Sequence, residues 1–161
     1  MQIRDYIVNV RTGKKLIRPK PIDEKFHIQR GIMITECDPK GIITYANKKF
    51  VELAGYDKEE IIGSPYSLTC HPDTTTEMLQ TIWENIKAGR GWSGYLKKLR
   101  KDGRYCWVEL VIRPKVDQNG TLLGFTAIRK SLPLKIVRDI ESNMRPKKCR
   151  FTPSHGPEVL W

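Results

Sequence analysis

The stretch that decides the fold of this chain is Gly63-Ser64-Pro65-Tyr66-Ser67-Leu68-Thr69-Cys70-His71-Pro72-Asp73. It connects a short amphipathic segment to a longer one at residues 74–88. The apolar side chains of the longer segment recur at the spacing of a helix face, and they are Met78, Leu79, Ile82, Trp83 and Ile86. The stretch therefore places a histidine and an acid at the start of the longest predicted helix.

Both ends of that helix carry capping signals. Asp73 or Thr74 is expected to accept hydrogen bonds from the first turn, and Glu77 fits a capping box with Thr74. Gly89 is expected to end the helix, because glycine tolerates the left-handed backbone that is common there.

The residues upstream predict two strands and two short helices. The strands, at residues 32–37 and 42–45, flank the turn Asp38-Pro39-Lys40-Gly41, in which proline presets one backbone angle and glycine tolerates a positive one. The short helices follow at residues 47–53 and 57–62, where apolar residues lie at helical spacing. The chain thus reaches the deciding stretch through a hairpin and two helices.

Three longer strands are predicted downstream, at residues 92–100, 105–113 and 121–130. Asp102-Gly103 and Asn119-Gly120, which separate them, are typical of tight hairpin turns. The order of two strands, several helices and three antiparallel strands predicts an α+β fold. We expect a five-stranded antiparallel sheet with helices packed on one face.

Composition narrows the class of protein. Of the 161 residues, 39% are hydrophobic and 29% are charged, as in a globular domain. No apolar run reaches the roughly 20 residues that a membrane-spanning helix needs. The basic N-terminus also lacks the apolar stretch of a secretory signal. We therefore expect a cytoplasmic protein with no membrane insertion.

Charge and cysteine usage exclude further classes of site. The net charge is +11, and well over half of the excess lies outside residues 31–131. Such flanks attract acidic partners or surfaces, but no recognition-helix or zinc-finger pattern accompanies them, so nucleic-acid binding is not expected. The four cysteines are far apart and form no metal-binding pattern, so we expect free thiols and no metal site.

The central region carries a series of short motifs in an informative order, namely Ile43-Thr44-Tyr45-Ala46-Asn47, Phe50, Gly55-Tyr56, Gly63, His71-Pro72-Asp73, Trp83, Trp92-Ser93-Gly94, Lys101-Asp102-Gly103, Tyr105-Cys106-Trp107-Val108, Gly124-Phe125 and Ile128-Arg129. Together they resemble the PAS family, and specifically the flavin-binding PAS sensor of bacterial aerotaxis receptors. The resemblance covers a PAS sensor domain at residues 25–131. The charge and the pattern of the flanks predict a basic leader at residues 1–24 and a C-terminal helix with a mobile basic tail at residues 132–161.

The resemblance also implies a noncovalently bound FAD and six residues that contact it, namely Asn47, His71, Asp73, Trp83, Trp92 and Lys98. Each of them also has a structural alternative. Asn47 and Asp73 are suited to capping helices, whereas Trp83 and Trp92 are suited to packing the core. His71 is suited to ordering the turn before Pro72, and Lys98 to the solvated surface of a hairpin.

Three positions bear on the cofactor. Cys70 stands where the family usually has an arginine, and Lys98 stands where it commonly has a polar amide. Tyr66 occupies the position of the reactive cysteine of photoactive LOV domains, so a flavin–cysteine bond is not expected. Haem is not expected either, because the helix at residues 74–88 contains no histidine.

We therefore expect a redox or energy sensor that signals to a separate chemoreceptor-type chemotaxis transducer, or to a second copy of the chain as a homodimer. The alternative is a cofactor-free PAS module for protein interaction or dimerisation. No enzyme is expected, because no nucleophile–base pair, metal signature or phosphate loop is visible. Trp107 and Glu109 are predicted to form the outer contact surface, unless residues 1–24 cover it.

Overall fold

The structure, a computed structural model, describes residues 5–144. Its strands are β1 (Tyr6–Val8), β2 (Lys15–Ile17), β3 (Ile32–Cys37), β4 (Ile43–Ala46), β5 (Trp92–Leu99), β6 (Tyr105–Val116) and β7 (Leu122–Ser131). Its helices are α1 (Lys48–Ala54), α2 (Lys58–Ile61), α3 (Thr76–Lys87) and α4 (Leu134–Met144). A short 3-10 helix, Tyr66–Thr69, lies in the deciding stretch between α2 and α3. The tail predicted to be mobile lies outside the described residues.

Five strands form one antiparallel sheet in the order β4-β3-β7-β6-β5, and β1 pairs with β2 in a separate hairpin. Contacts of α1 with β3, and of α3 with β5 and β6, place these helices on one side of the sheet. We call that side the inner face and the opposite side the outer face. The predicted α+β fold with a five-stranded antiparallel sheet is confirmed.

The core lies between the inner face and the helices. Along β6 the buried side chains alternate with more exposed ones, as the two-residue period of a strand requires, and the buried ones are Cys106, Val108, Leu110 and Ile112. From α3, Leu79, Ile82 and Ile86 pack against them. Met78, which the sequence pattern placed on the same helix face, is exposed. The buried face of α3 is therefore narrower than predicted.

The start of α3 differs from the prediction. Thr75, rather than Asp73 or Thr74, caps the helix, and its hydroxyl accepts a hydrogen bond from Met78 N at 3.1 Å. The predicted capping box between Thr74 and Glu77 is therefore wrong, because the cap lies one residue later, at Thr75. The reason is that Asp73 is held by Lys97, whose Nζ donates to its carboxylate at 2.8 Å.

The N-terminal hairpin packs beside α2. Asn9 Nδ2 donates to the carbonyl oxygens of Glu60 and Ile62 at 3.0 and 2.9 Å. Gly63 has a φ of 94°, and a Cβ there would collide with the Asn9 side chain. Only glycine allows this close approach at a positive φ. Ile22 N then donates to Gly103 O at 2.9 Å, so the segment after the hairpin reaches the turn between β5 and β6.

Candidate functional site

The inner face holds two cationic side chains deep in the core. Lys98 of β5 is 1% exposed and Arg129 of β7 is 0% exposed. Lys98 Nζ donates to the Tyr66 hydroxyl at 3.3 Å. The guanidinium carbon of Arg129 lies 5.4 Å from the centre of the Tyr66 ring. Both cations therefore approach the same aromatic ring.

Strand alternation explains why both side chains point inward. On β7, Phe125, Ala127 and Arg129 are buried on the same face at a spacing of two residues. On β5, Lys98 lies opposite the buried Cys106 of β6. The local backbone thus directs both cations into the core, although burial of a charge is costly.

Arg129 has hydrogen-bond partners on only one side of its guanidinium group. Nη1 donates to Thr35 Oγ1 at 3.0 Å and to Ala127 O at 3.4 Å. The Phe50 ring centre lies 4.7 Å from the guanidinium carbon. Nε and Nη2 are buried without a hydrogen-bond partner in the part of the chain that the structure describes.

No acidic side chain neutralises these cations within residues 5–144, because every Asp and Glu there is at least partly exposed. Cys37 and Cys106 are close enough to interact with Arg129 and Lys98, respectively. Burial nevertheless raises the pKa of each thiol to about 12. Both thiols therefore remain uncharged at neutral pH and cannot serve as counter-ions.

His71 and Asp73 lie on the other side of β5. Lys97 Nζ, which donates to Asp73 Oδ2 at 2.8 Å, is 4.2 Å from the centre of the Tyr105 ring. The His71 ring packs edge-on against Tyr105, with 6.2 Å between the ring centres. We call His71, Asp73, Lys97 and Tyr105 the edge cluster. Adjacent strand residues point to opposite faces, so the edge cluster is separated from Lys98.

His71 is a neutral hydrogen-bonding residue in this environment. Its Nδ1 accepts from Asp73 N at 3.0 Å, which leaves the proton on Nε2. Burial, and after it the charge of Lys97, lower the pKa of His71 to about 4 against the opposing effect of Asp73. At neutral pH the ring is thus a hydrogen-bond donor and not a charge.

Asn47 uses its side chain to join α1 to β3. Its Oδ1 accepts hydrogen bonds from Phe50 N and Ile34 N, both at 3.0 Å. Its Nδ2 donates to Ile32 O at 2.8 Å. These bonds are those of the capping role that was the alternative to ligand contact.

The two candidate tryptophans are both half-buried and pack against the core. Trp83 meets Phe125 edge-on, with 6.5 Å between the ring centres. Phe125 in turn meets Tyr66 at 6.2 Å, so an aromatic chain leads from α3 to the buried cations. Trp92 lies beside Gly94, where an added Cβ would collide with its ring.

An arginine reaches the position at which Cys70 departs from the family's pattern. Arg18, which follows β2, is buried and donates through Nη2 to Cys70 O. The backbone of Cys70 also pairs with that of Lys98 at the edge of the sheet. A guanidinium group is thus present next to His71, although it comes from the N-terminal segment.

The structure therefore divides the six predicted residues among several places. Lys98 and Trp83 approach the Tyr66 region, His71 and Asp73 belong to the edge cluster, and Asn47 and Trp92 lie elsewhere at the core. Sequence reasoning did not select Arg129 as a site residue. The signal was its place two and four residues after Ala127 and Phe125, which aligns it with the buried face of β7.

The outer face is partly covered by α4. Trp107 lines two cavities there, of about 160 Å³ with Leu134 and Val137, and of about 220 Å³ with Tyr95 and Ile140. Lys25 Nζ and Glu141 Oε1 form an ion pair at 3.0 Å that joins α4 to the segment before β3. The element over Trp107 is therefore α4, whereas the described part of residues 1–24 packs beside α2 and reaches the turn between β5 and β6.

Between residues 5 and 144, no group of three or more His, Cys, Asp or Glu side chains could hold a metal ion. No helix in this part of the chain has the length and apolar character to span a membrane. Cys37, Cys70 and Cys106 are buried free thiols, and Cys149 lies outside the described residues.

Two curated proteins are similar to this chain over 97 residues each. An aerotaxis receptor of Escherichia coli (strain K12) is 34% identical over 60% of this chain and 19% of the receptor. The biofilm dispersion protein BdlA of Pseudomonas aeruginosa is 35% identical over 60% of this chain and 23% of that protein. The chain therefore matches only about a fifth of the length of either relative.

The fold and the family agree with these similarities. The crystal structure of a PAS domain from Colwellia psychrerythraea has a TM-score of 0.57 and 28% identity, over 63% of this chain and 86% of that one. The family described as PAS fold matches residues 29–129, which include both buried cations and the edge cluster. A match over more than half of the sequence shows that this chain belongs to the PAS family.

Proposed function

We propose that this chain is a cytoplasmic redox or energy sensor that binds FAD noncovalently and signals to a separate chemoreceptor-type protein. The observation that carries the proposal is the pair of buried cations, Lys98 and Arg129, in an aromatic core without a buried acid. Similarity to an aerotaxis receptor supports the kind of stimulus, because a sensor of oxygen or energy status needs a redox-active group.

The residues of the inner face fit a flavin chemically. A flavin ring is planar, apolar on its faces, and carries hydrogen-bond acceptors along one edge. The aromatic side chains of Phe50, Tyr66, Trp83 and Phe125 suit such faces, and the N–H groups of Arg129 suit such acceptors. His71, in the edge cluster, offers a further donor through Nε2 for the part of FAD that extends beyond the ring. A bound flavin supplies reversible electron transfer.

The strand pairing offers a route from the core to the outer face. Lys98 and Lys97 are neighbours on β5, and they lie opposite Cys106 and Trp107 on β6. A change in the hydrogen bonding of Lys98 therefore shifts backbone that also positions Trp107. Sheets transmit such shifts because paired strands are joined by continuous hydrogen bonds. Trp107 in turn lies against α4, so α4 is the element that would respond.

The output surface in this proposal is the outer face, including the exposed Glu109 and the residues around Trp107. We take residues 25–131 as the sensor unit and residues 132–161 as a helix and basic tail that extend this surface. The partner is an acidic helical signalling region or a second copy of the chain. Basic flanks attract acidic partners through long-range electrostatics.

The absorption spectrum of the purified full chain tests cofactor binding. We expect flavin absorption in the visible range, and flavin released by denaturation that is identified as FAD by mass spectrometry. Protein that stays colourless after incubation with FAD would refute the flavin proposal. That result, together with self-association in solution, favours the alternative of a cofactor-free interaction module, since Tyr95 and Ile32 are exposed apolar residues.

A pull-down tests the output surface. The double variant Trp107→Ala with Glu109→Lys is expected to lose binding to the partner's signalling region while it keeps its flavin. Glu84→Lys on the exposed side of α3 is the matched control for added positive charge. Normal partner binding by a folded, flavin-loaded double variant would show that the signal leaves by another surface.

A further inference from the structure

We propose that Arg129, together with Lys98, forms a buried binding site for the acceptor-bearing, electron-rich edge of a planar ligand. The edge presents two adjacent acceptor atoms, as in a carboxylate or in the N–C=O edge of a flavin ring. For the flavin the inference rests on the proposed function, whereas for a carboxylate it is independent of it. The site lies on the inner face, where Arg129 and Lys98 both approach Tyr66.

The geometry of the unbonded nitrogens defines the ligand. Nε and Nη2, the two atoms of Arg129 without a partner among the described residues, lie along one edge of the planar guanidinium group. Their N–H bonds are parallel and form the fork that binds two adjacent acceptors at once. A planar group with two adjacent acceptors gives each N–H bond its own near-linear hydrogen bond, so the fork favours such a group.

Arg100, which follows β5 and is also buried, is an example of a guanidinium group with a structural role. Arg100 Nη1 donates to the carbonyl oxygens of Glu52 and Leu53 at 2.6 and 2.8 Å. Its Nε donates to Asp102 Oδ2 at 3.3 Å. Arg100 therefore has both hydrogen-bond acceptors and a counter-ion, while Arg129 has neither on its Nε side.

No group of the described chain replaces the missing anion. Every carboxylate of residues 5–144 is at least partly exposed, and the Cys37 and Cys106 thiols stay protonated. The rings of Phe50 and Tyr66 attract the positive charge of Arg129 through their faces. A ring face, however, does not accept the in-plane N–H bonds of Nε and Nη2. Within the described residues, Arg129 therefore lacks both a counter-ion and hydrogen-bond acceptors for Nε and Nη2.

Lys98 contributes a second cation to the site, beside the same Tyr66 ring. Its Nζ donates to the Tyr66 hydroxyl and lies 4.6 Å from the centre of that ring. An ammonium group has three N–H donors, so Lys98 can bind the ligand and Tyr66 together. Two cations against one anionic edge favour a ligand with a full negative charge over a neutral isostere.

Equilibrium binding to the full chain tests the site with two probes. Riboflavin carries the flavin ring without phosphates, and benzoate carries a planar carboxylate without a flavin. Binding of riboflavin is measured by fluorescence, binding of benzoate by calorimetry, and FAD is titrated in parallel. The variants are Arg129→Met and Arg129→Gln, and the matched control is Lys130→Met, which removes a charge from the exposed neighbour on β7.

We expect at least one probe to bind the parent chain, and Arg129→Met to weaken that binding about 10- to 100-fold, the loss of one charged hydrogen-bonded contact. Lys130→Met is expected to bind as the parent does. Melting curves confirm that each variant is folded, and Arg129→Gln repeats the test if the methionine variant is not.

Each other outcome is decisive. Equal riboflavin affinity in the parent and in folded Arg129 variants overturns the site but leaves the flavin proposal standing. Benzoate binding that depends on Arg129, without any binding of FAD, overturns the flavin proposal and supports the site with a carboxylate ligand. If neither riboflavin nor benzoate binds the parent chain, the anion site itself is wrong.

Discussion

The edge cluster and the inner face are built on neighbouring residues of β5, yet they treat charge in opposite ways. Lys97 points outward and pairs with the half-exposed Asp73 at 2.8 Å. Lys98 points inward and has a hydroxyl but no carboxylate. The Lys97–Asp73 pair is therefore neutralised by its own charges, whereas Lys98 and Arg129 have no counter-ion among the described residues.

We interpret this difference as one between residues that stabilise the fold and residues that bind a ligand. A neutralised charge near the surface contributes modestly and specifically to local structure. An uncompensated buried charge costs stability and persists where it has another use. The comparison therefore supports our proposal that Lys98 and Arg129 recognise a ligand, and it suggests that Asp73 and Lys97 position His71.

The largest expected effect separates Arg100 from Arg129. Arg100→Met is expected to lower the free energy of unfolding by about 2–4 kcal/mol, because it leaves the carbonyl groups of Glu52 and Leu53 without this donor. Arg129→Met is expected to leave it unchanged or to raise it, within about 1 kcal/mol, in the ligand-free protein. Urea denaturation of both variants measures the difference. Comparable losses in both would show that Arg129 is also structural.

A smaller effect is expected from pH at His71. Its pKa is about 4 in the folded chain and about 6.5 in the unfolded one. The unfolded state therefore takes up a proton first as the pH falls from about 6.5 towards about 4, and stability declines over that range. At about pH 5 the loss attributable to His71 is about 2 kcal/mol.

The variant His71→Gln isolates this contribution. Its stability should fall less between about pH 7.5 and about pH 5 than that of the parent, as measured by urea denaturation. His27 is exposed, so His27→Gln is the matched control and should behave as the parent does. An identical pH dependence in all three proteins would mean that His71 titrates normally in the fold.

The smallest effect is expected at the outward ion pair. Lys97→Met is expected to cost no more than about 1 kcal/mol of stability, because Asp73 is partly exposed. It should also raise the pKa of His71, since the charge of Lys97 lowers it in the parent. An NMR titration of the His71 ring reports the shift, with Lys130→Met as control. A fall in the pKa, or no change, would place Lys97 outside the electrostatic environment of His71.

Periodicity and turn chemistry predicted the fold well. The two-residue alternation of β6 and the Asp102-Gly103 and Asn119-Gly120 turns indicated three antiparallel strands, and the structure has them. The error at Thr75 arose because a local capping preference cannot reveal that Asp73 is held by a distant lysine. Local sequence signals determine which helices and strands form, whereas tertiary contacts determine the exact residue at which each one begins or ends.

The candidate site was less accessible from sequence. The pattern identified His71 and Lys98 as candidate site residues. It could not show that they lie on opposite faces of the sheet, with His71 beside Lys97 and Lys98 on the inner face. Arg129 was overlooked because a lone arginine near a strand end is usually solvated. Its importance follows from the absence of a buried carboxylate among residues 5–144, which is a property of the folded chain.

A crystal structure of the full chain grown with FAD would show directly whether the buried cations bind the flavin. We expect the flavin ring on the inner face, with Nε and Nη2 of Arg129 about 3 Å from two acceptors on one edge of the ring. A ring bound at the edge cluster would contradict this expectation, as would an Arg129 side chain paired with a carboxylate of the chain itself.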